Sequence, residues 1–398
     1  MDQVPVTLLG HRDHGKSTLI GRLLMETNSV PTERIAYAKE LSTSQGKNFE
    51  YAFLMDSFRE EREQEMTIDT ASAKLQYSDT IFELIDVPGH KELAKNMLSG
   101  ASRAKSGLLV VSAKPGEGLQ EETRLHLFLA KMLGLEKLAV AVTKMDLVGY
   151  ERKIFETLKA DVSAYLRFAG FDPANIRFIP VSAMDGVNVV EKSEKTPWYD
   201  GSALLPFMAE AYRAFAQTGP LRFLVQDAYD VDAQRVYVGQ VKQGALASGA
   251  KLLFQPQGER ATVAALASGK NEATQGKNEA LVLDAPVSIG RGSVGFPADA
   301  APALSSKLFA TLFFLPQSAL DSSKPVAFQS ASAQTNVSLQ LQTEFDLLLA
   351  METPATTTGP LRFFRAVLSF DAPVLAEPAS QTPFLGRFVL KDGGKIAA

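Results

Sequence analysis

Residues 4–27 read VPVTLLGHRDHGKSTLIGRLLMET. The run VPVTLLG is apolar and of buried-strand type, and STLIGRLLMET carries leucines at helical spacing. Between them Gly10 and Gly15 to Ser17 fit G-x-x-x-x-G-K-[ST], a loop whose backbone N–H groups wrap a di- or triphosphate. Glycine is needed because a side chain would block the approach. Asp13, His14, Gly15 and Thr18 are read with Lys16 and Ser17 as nucleotide-binding residues, Thr18 opening the next helix. Lys16 brings a point charge to the β- and γ-phosphates, and the Ser17 hydroxyl is placed to ligate Mg²⁺.

The surrounding chain predicts where that loop sits. From 1 to 217, apolar β-rich runs (VPVTLLG, TIFELID, GLLVVSA, KLAVAVTK and RFIPVSA) alternate with helical stretches such as Glu121 to Leu133 and Glu151 to Phe168. This alternation predicts an α/β domain with a doubly wound, mainly parallel sheet, which binds ligands at the carboxyl ends of its strands. After Gly219 short β-branched runs are separated by turns and helical periodicity disappears, as expected for two small all-β barrels. The stretch from Pro297 to Ser306 divides them, giving domains of 1–217, 218–302 and 303–398.

Composition excludes several classes. A chain of 398 residues with 45% hydrophobic and 22% charged residues and a net charge of −4 has neither a basic nucleic-acid tail nor a disordered composition, and DNA is not an expected partner. It has no cysteine, so disulfides, thiol catalysis and cysteine-ligated metals are absent. No leader pattern and no apolar run near the roughly eighteen residues of a membrane span is found. The expectation is a cytoplasmic monomer without a membrane.

Three further signals stand at strand tips. DVPG follows TIFELI, so Asp86 can hold Mg²⁺, usually through water, and the Gly89 N–H can reach a γ-phosphate. TKMD, Thr143 to Asp146, follows KLAVAV; a carboxylate at Asp146 accepts from the N1–H and exocyclic amine of guanine, a donor pair that adenine lacks on that edge. VSA follows RFIP, where the backbone N–H of Ser182 or Ala183 can meet guanine O6. In EREQEMTID, residues 61–69, Thr67 is the candidate hydroxyl that joins Mg²⁺ only with the γ-phosphate present, which makes residues near 40 to 70 an order–disorder switch; a charge-rich helix end is the other reading. His90, next to DVPG, is the candidate to orient the attacking water, against a helix-capping role. His11 and His14 are read as loop structure, and His126 as packed or solvent-facing on its helix.

Taken in order and spacing, GHRDHGKSTLIGRLL, EREQEMTID, DVPGH, KNMLSGAS, TKMDLV, VSAMDG and PWYDGSALL resemble the nucleotide domain of translational GTPases of the elongation factor Tu and elongation factor 1-alpha family, the archaeal/eukaryotic branch above all. LRFLVQDAYDVDAQRVYVGQVKQGALASGAKLLFQP is similar to that family's second domain and LGRFVLKDGGKIAA to its third. The resemblance implies Mg²⁺-dependent hydrolysis of GTP to GDP. It implies nucleotide or Mg²⁺ roles for Lys16, Ser17, Thr67, Asp86, Gly89, Thr143, Lys144, Asp146, Ser182 and Ala183, and a catalytic role for His90. It also implies delivery of aminoacyl-tRNA or a related partner to the ribosome, and a nucleotide exchange factor.

The departures predict differences. Arg12 stands where most relatives carry an apolar residue, and Glu65–Met66 where they usually have Gly-Ile or Gly-Val before the threonine, so that the apolar gate that flanks the family's catalytic histidine is expected to be half charged; Arg12 either compensates γ-phosphate charge in cis or obstructs the water. Thr143 replaces the commoner asparagine. Residues 218–398 carry fifteen Lys and Arg against fifteen Asp and Glu, a balance poor in the basic groups that phosphate contacts to tRNA require. The chain also stops at KIAA, which predicts a last barrel short of an edge. Two alternatives follow. One is the GTPase subunit of ATP sulfurylase, which PWYDGSALL and LIGRLL also resemble, though that subunit usually has Asp-Asp where this loop has Asp13-His14. The other is a slow-hydrolysing, GTP-dependent binding module.

Overall fold

The computed structural model describes residues 2–46, 49–54, 71–86, 104–212, 219–231, 234–315, 324–355, 359–392 and 394–398. The chain folds as two compact units, one of Met1–Phe215 with Asp346–Met351 and one of Ala216–Phe345 with Glu352–Ala398.

In the first unit the sheet contains β1 (Asp2–Leu9), β2 (Ala71–Tyr77), β3 (Thr80–Asp86), β4 (Ser106–Ser112), β5 (Lys137–Thr143) and β6 (Arg177–Pro180). Their order is β2-β3-β1-β4-β5-β6, and only β2 runs antiparallel to its neighbour. β4, SGLLVVS, is buried at every position, the continuous apolar strand that a sheet covered on both faces demands. Helices α1 (Lys16–Glu26), α2 (Thr32–Ser44), α3 (Glu121–Met132), α4 (Arg152–Phe168) and α5 (Leu204–Tyr212) connect or follow the strands. Leu19 and Leu23 of α1, Met208 of α5, and Val6, Leu84, Val110, Ala141 and Ile179 of the strands form one core. At about 25 cal/mol per Å² of apolar surface, such burial is the main favourable contribution to the fold.

In the second unit, β7 (Arg222–Val231), β8 (Gln234–Gln243), β10 (Lys251–Gln255), β11 (Glu259–Leu266), β13 (Asn278–Leu283) and β14 (Val294–Pro297) close a barrel, with β9 (Ala245–Ala247) and β12 (Glu272–Thr274) paired beside it. The remaining strands, β15 (Ser305–Phe313), β16 (Val326–Ser330), β17 (Gln334–Asp346), β18 (Met351–Pro354), β19 (Phe363–Val374), β20 (Phe388–Asp392) and β21 (Lys395–Ile396), form a seven-stranded antiparallel sheet. Among the described residues that sheet does not close as a ladder. Its two ends meet instead at one bond, from the Leu315 N–H to the Ala397 carbonyl at 3.0 Å. That bond sets the residues after β21 beside the segment that follows β15. Among the described residues one helical turn, α6 (Pro383–Gly386), interrupts an otherwise all-β half. Val294 and Phe296 of the barrel pack with Leu375, just past β19, and with Leu385 of α6. Arg222 and Glu377 span the same junction as a buried bidentate pair, at 2.8 and 2.6 Å.

Candidate nucleotide site

Four strand ends converge on the loop between β1 and α1. Gly10 leaves β1 with φ +131°, and a Cβ there would lie 2.3 Å from the Val110 carbonyl oxygen of β4, so only glycine permits the loop to press on the neighbouring strand. The chain then makes a 3₁₀ turn over Arg12–His14 and passes through Gly15 at φ +83° into α1. Among the described residues no side chain caps the first turn of α1, and the positive end of the helix dipole faces the loop. The Lys16 ammonium, 4% exposed, donates to the carbonyls of Gly10 at 2.8 Å and His11 at 3.0 Å.

Two histidines hold this loop by different means. His11 Nε2 lies 2.8 Å from Oε2 of Glu122 in the first turn of α3, while its Nδ1 accepts from the Asp13 N–H at 3.2 Å. The amide contact makes Nδ1 the acceptor and leaves Nε2 to donate to the Glu122 carboxylate. His14 is fully buried and its Nδ1 donates to the Val110 carbonyl at 3.2 Å. Burial lowers the His14 pKa to about 4, despite the opposing pull of that carbonyl, so the ring is neutral at pH 7. His126, expected as packed or solvent-facing, is buried, and burial lowers its pKa to about 3. Arg12 points outward, 62% exposed, with its Nε 3.5 Å from Asp13 Oδ2.

The elements expected to read the base are tied to the same loop. At the tip of β5 the Thr143 hydroxyl donates to the His14 carbonyl at 2.7 Å. Lys144 follows with φ +57°, and its Nζ lies 2.7 Å from Glu117 Oε2. Partial burial would raise the Glu117 pKa, but hydrogen bonds from Lys144, Ser112 and Lys114 outweigh it and hold the carboxyl at about 2. Asp146 lies in a 3₁₀ turn, Met145–Val148, that is anchored by the Met145 N–H on the Val181 carbonyl at 3.3 Å. The Ser182 N–H is engaged by the Val187 carbonyl at 3.2 Å and its Oγ accepts from the Asp185 N–H at 3.1 Å, so Ser182 shapes the turn that presents Ala183. Asp185 in turn accepts from Lys195 Nζ and from the Tyr150 hydroxyl, both at 2.6 Å; these two donors hold its carboxyl below the ordinary range.

Asp86 ends β3 in register with Leu8, two residues before Gly10, and is 2% exposed. A carboxylate buried at that point suits a hydrated divalent cation, and the Ser17 hydroxyl lies in the first turn of α1, which the same loop leads into. Thr67, Gly89 and His90, with Glu65 and Met66, lie outside the described residues. Sequence reasoning did not single out Glu117 or Glu122. Neither belongs to a motif, and each acquires its role from a contact with a residue that is distant in the chain.

The profile described as "Elongation factor Tu GTP binding domain" matches residues 2–228. Elongation factor 1-alpha of Methanosphaerula palustris is 33% identical, over 99% of this chain and 95% of its own. Elongation factor 1-alpha of Methanocella arvoryzae is 34% identical, over 99% and 96%. Among solved structures, Sup35 complexed with GDP overlaps 100% of this chain and 92% of its own at 23% identity and a TM-score of 0.42; that likeness is loose, and the kinship rests on the sequence relatives.

Proposed function

The chain belongs to the elongation factor Tu and 1-alpha family of translational GTPases, and from that premise we propose that it delivers aminoacyl-tRNA to the ribosome as a cytoplasmic monomer, recharged by a nucleotide exchange factor. The site reading rests most directly on the Thr143–His14 bond, which couples the guanine-reading strand tip to the phosphate loop.

In this reading the backbone of Asp13 to Thr18 wraps the α- and β-phosphates, with the Gly89 N–H on the γ-phosphate. Lys16 exchanges its carbonyl partners Gly10 and His11 for phosphate oxygens. Asp146 accepts from guanine N1–H and the exocyclic amine, and the Ala183 N–H donates to O6, with Ser182 as the residue that holds the turn. Mg²⁺, held by Ser17, Asp86 and Thr67, supplies charge neutralisation at the β- and γ-phosphates when bound. His90 orients the attacking water. Arg12, paired with Asp13 in the described structure, is free to swing toward the γ-phosphate at little energetic cost, because an exposed ion pair contributes only about 0–1 kcal/mol. The functional divisions are 1–217, 218–302 and 303–398, with the switch in the first.

Protection of the aminoacyl ester from spontaneous hydrolysis by the GTP-loaded protein tests the tRNA reading. Protection in the GTP form and none in the GDP form is expected. No protection, with a sulfurylase subunit copurifying, points to the sulfate-activation alternative, and GTP retained over long incubation with ribosomes points to a slow-hydrolysing binding module.

A further inference from the structure

A cavity of about 480 Å³ lies in the first unit at the start of β6, the opposite end of that strand from Ser182 and Ala183. It shares no residue with the phosphate or base loops. Its volume falls in the range of small-ligand sites, about 300–1,000 Å³. The floor is aromatic: Phe155 of α4 packs on Trp198 with ring centroids 5.1 Å apart, and Phe178 and Tyr199 complete it. Trp198 is only partly buried, and its indole N–H is already engaged by the Tyr150 carbonyl at 3.0 Å, which fixes the ring plane.

The polar groups on the wall narrow the ligand. Arg152 and Arg177 both line the cavity, and among the described residues neither guanidinium has an ion pair or hydrogen bond. Lys159 sits beside them, loosely paired with Glu156 at 3.7 Å. Glu156 and Asp200 face the same space, so three cations meet two carboxylates. A polyphosphate or a strongly acidic peptide would bring its negative charges against those carboxylates. A ligand with one anionic group, a flat ring and N–H donors suits every wall: the guanidiniums take the anion, the partly exposed Trp198 ring, backed by buried Phe155, stacks on the base, and the carboxylates accept from an exocyclic amine. We propose that this cavity is a second nucleotide-binding site, built for one base–phosphate unit, either a free nucleoside monophosphate or one residue of single-stranded RNA.

Trp198 is the sole tryptophan of the chain, so its fluorescence reports on this cavity. The full-length protein, saturated with GDP and Mg²⁺ so that the phosphate loop is filled, is titrated with AMP, with a single-stranded RNA hexamer and with an acidic aromatic peptide. Saturable quenching by AMP or by the RNA is expected. A tighter midpoint for the RNA assigns the site to a strand, and a tighter midpoint for AMP assigns it to the free nucleotide. Arg177→Gln, at an exposed position, is expected to weaken the midpoint at least about tenfold, the usual worth of a charge-assisted bond. Equilibrium dialysis of labelled AMP with the parent protein, still in saturating GDP, reads the same event without fluorescence and is expected to give one AMP per chain. Absence of quenching into the millimolar range, quenching unaltered in the Arg152→Gln, Arg177→Gln double variant, or a response to the peptide alone overturns the assignment. Failure to hold GDP would count against the GTP reading, while the AMP titration would still be read at this cavity.

Discussion

The Thr143 hydroxyl donates to the carbonyl oxygen of His14, 2.7 Å away and 129 residues earlier in the chain. Both groups are buried, and the same hydroxyl lies 3.3 Å from the Val111 carbonyl. Thr143→Val keeps the shape and removes the donor, leaving a buried carbonyl without it at a cost of about 1–3 kcal/mol. Accelerated GDP release, by at least about tenfold, is expected in stopped-flow measurements, with Thr143→Asn close to the parent because it restores a donor.

His11 transmits the position of α3 to the phosphate loop through one tautomer, its Nε2 on Glu122 and its Nδ1 on the Asp13 amide. Glu122→Ala removes the group that fixes the proton on Nε2. The Asp13 N–H then loses a reliable acceptor, and the 3₁₀ turn loosens. GDP affinity measured by calorimetry should fall about three- to tenfold, roughly one hydrogen bond's net worth, with thermal stability little changed.

Glu117 braces Lys144 at 2.7 Å, and its folded pKa of about 2 lies below the ordinary carboxylate value. Its contribution to stability is therefore present above the unfolded pKa and is lost as pH falls toward 2. Glu117→Gln should flatten the acid limb of the unfolding free energy between about pH 5 and about pH 2, the span that runs from just above the ordinary carboxylate value of about 4.3 down to the folded one. An unchanged acid limb would dissociate Glu117 from the brace.

In the second unit, Arg222 and Glu377 are 6% and 9% exposed and bonded through two parallel contacts. Burial raises the Glu377 pKa, but the guanidinium and Thr382 outweigh it and leave the carboxyl below its ordinary value, so this pair too loses its contribution as pH falls through the folded pKa. Removing one partner strands the other charge. Glu377→Ala should cost about 3–5 kcal/mol in denaturant unfolding, whereas replacing both by well-packed apolar residues should cost far less.

The phosphate loop and the strand-tip motifs were legible because each is a local signal: Gly10 to Ser17 specify a turn by backbone geometry alone, and the buried runs of β4 and β5 specify a parallel sheet by continuous apolarity. The helix boundaries moved by only a residue, from Glu121–Leu133 to Glu121–Met132 and from Glu151 to Arg152. Other features depend on pairings that no local pattern encodes. The His11–Glu122 and Thr143–His14 contacts join side chains to partners far along the chain, the turn at Pro383–Gly386 interrupts strand-like sequence, and the Leu315–Ala397 bond draws the C-terminal residues to the far edge of the last sheet. The inward turn of His14 follows from the contact of Gly10 with Val110, a consequence of strand order.

The central claim is that Asp146 reads guanine at the site gripped by the loop that starts at Gly10. Nucleotide binding by the parent and by Asp146→Asn tests it most directly, because an amide there presents a donor and an acceptor and so complements xanthine in place of guanine. The expected result is a parent that binds GDP and rejects ADP and XDP, and a variant that loses GDP and gains XDP. A parent indifferent between GDP and ADP, or a variant that still binds GDP as the parent does, would contradict the account.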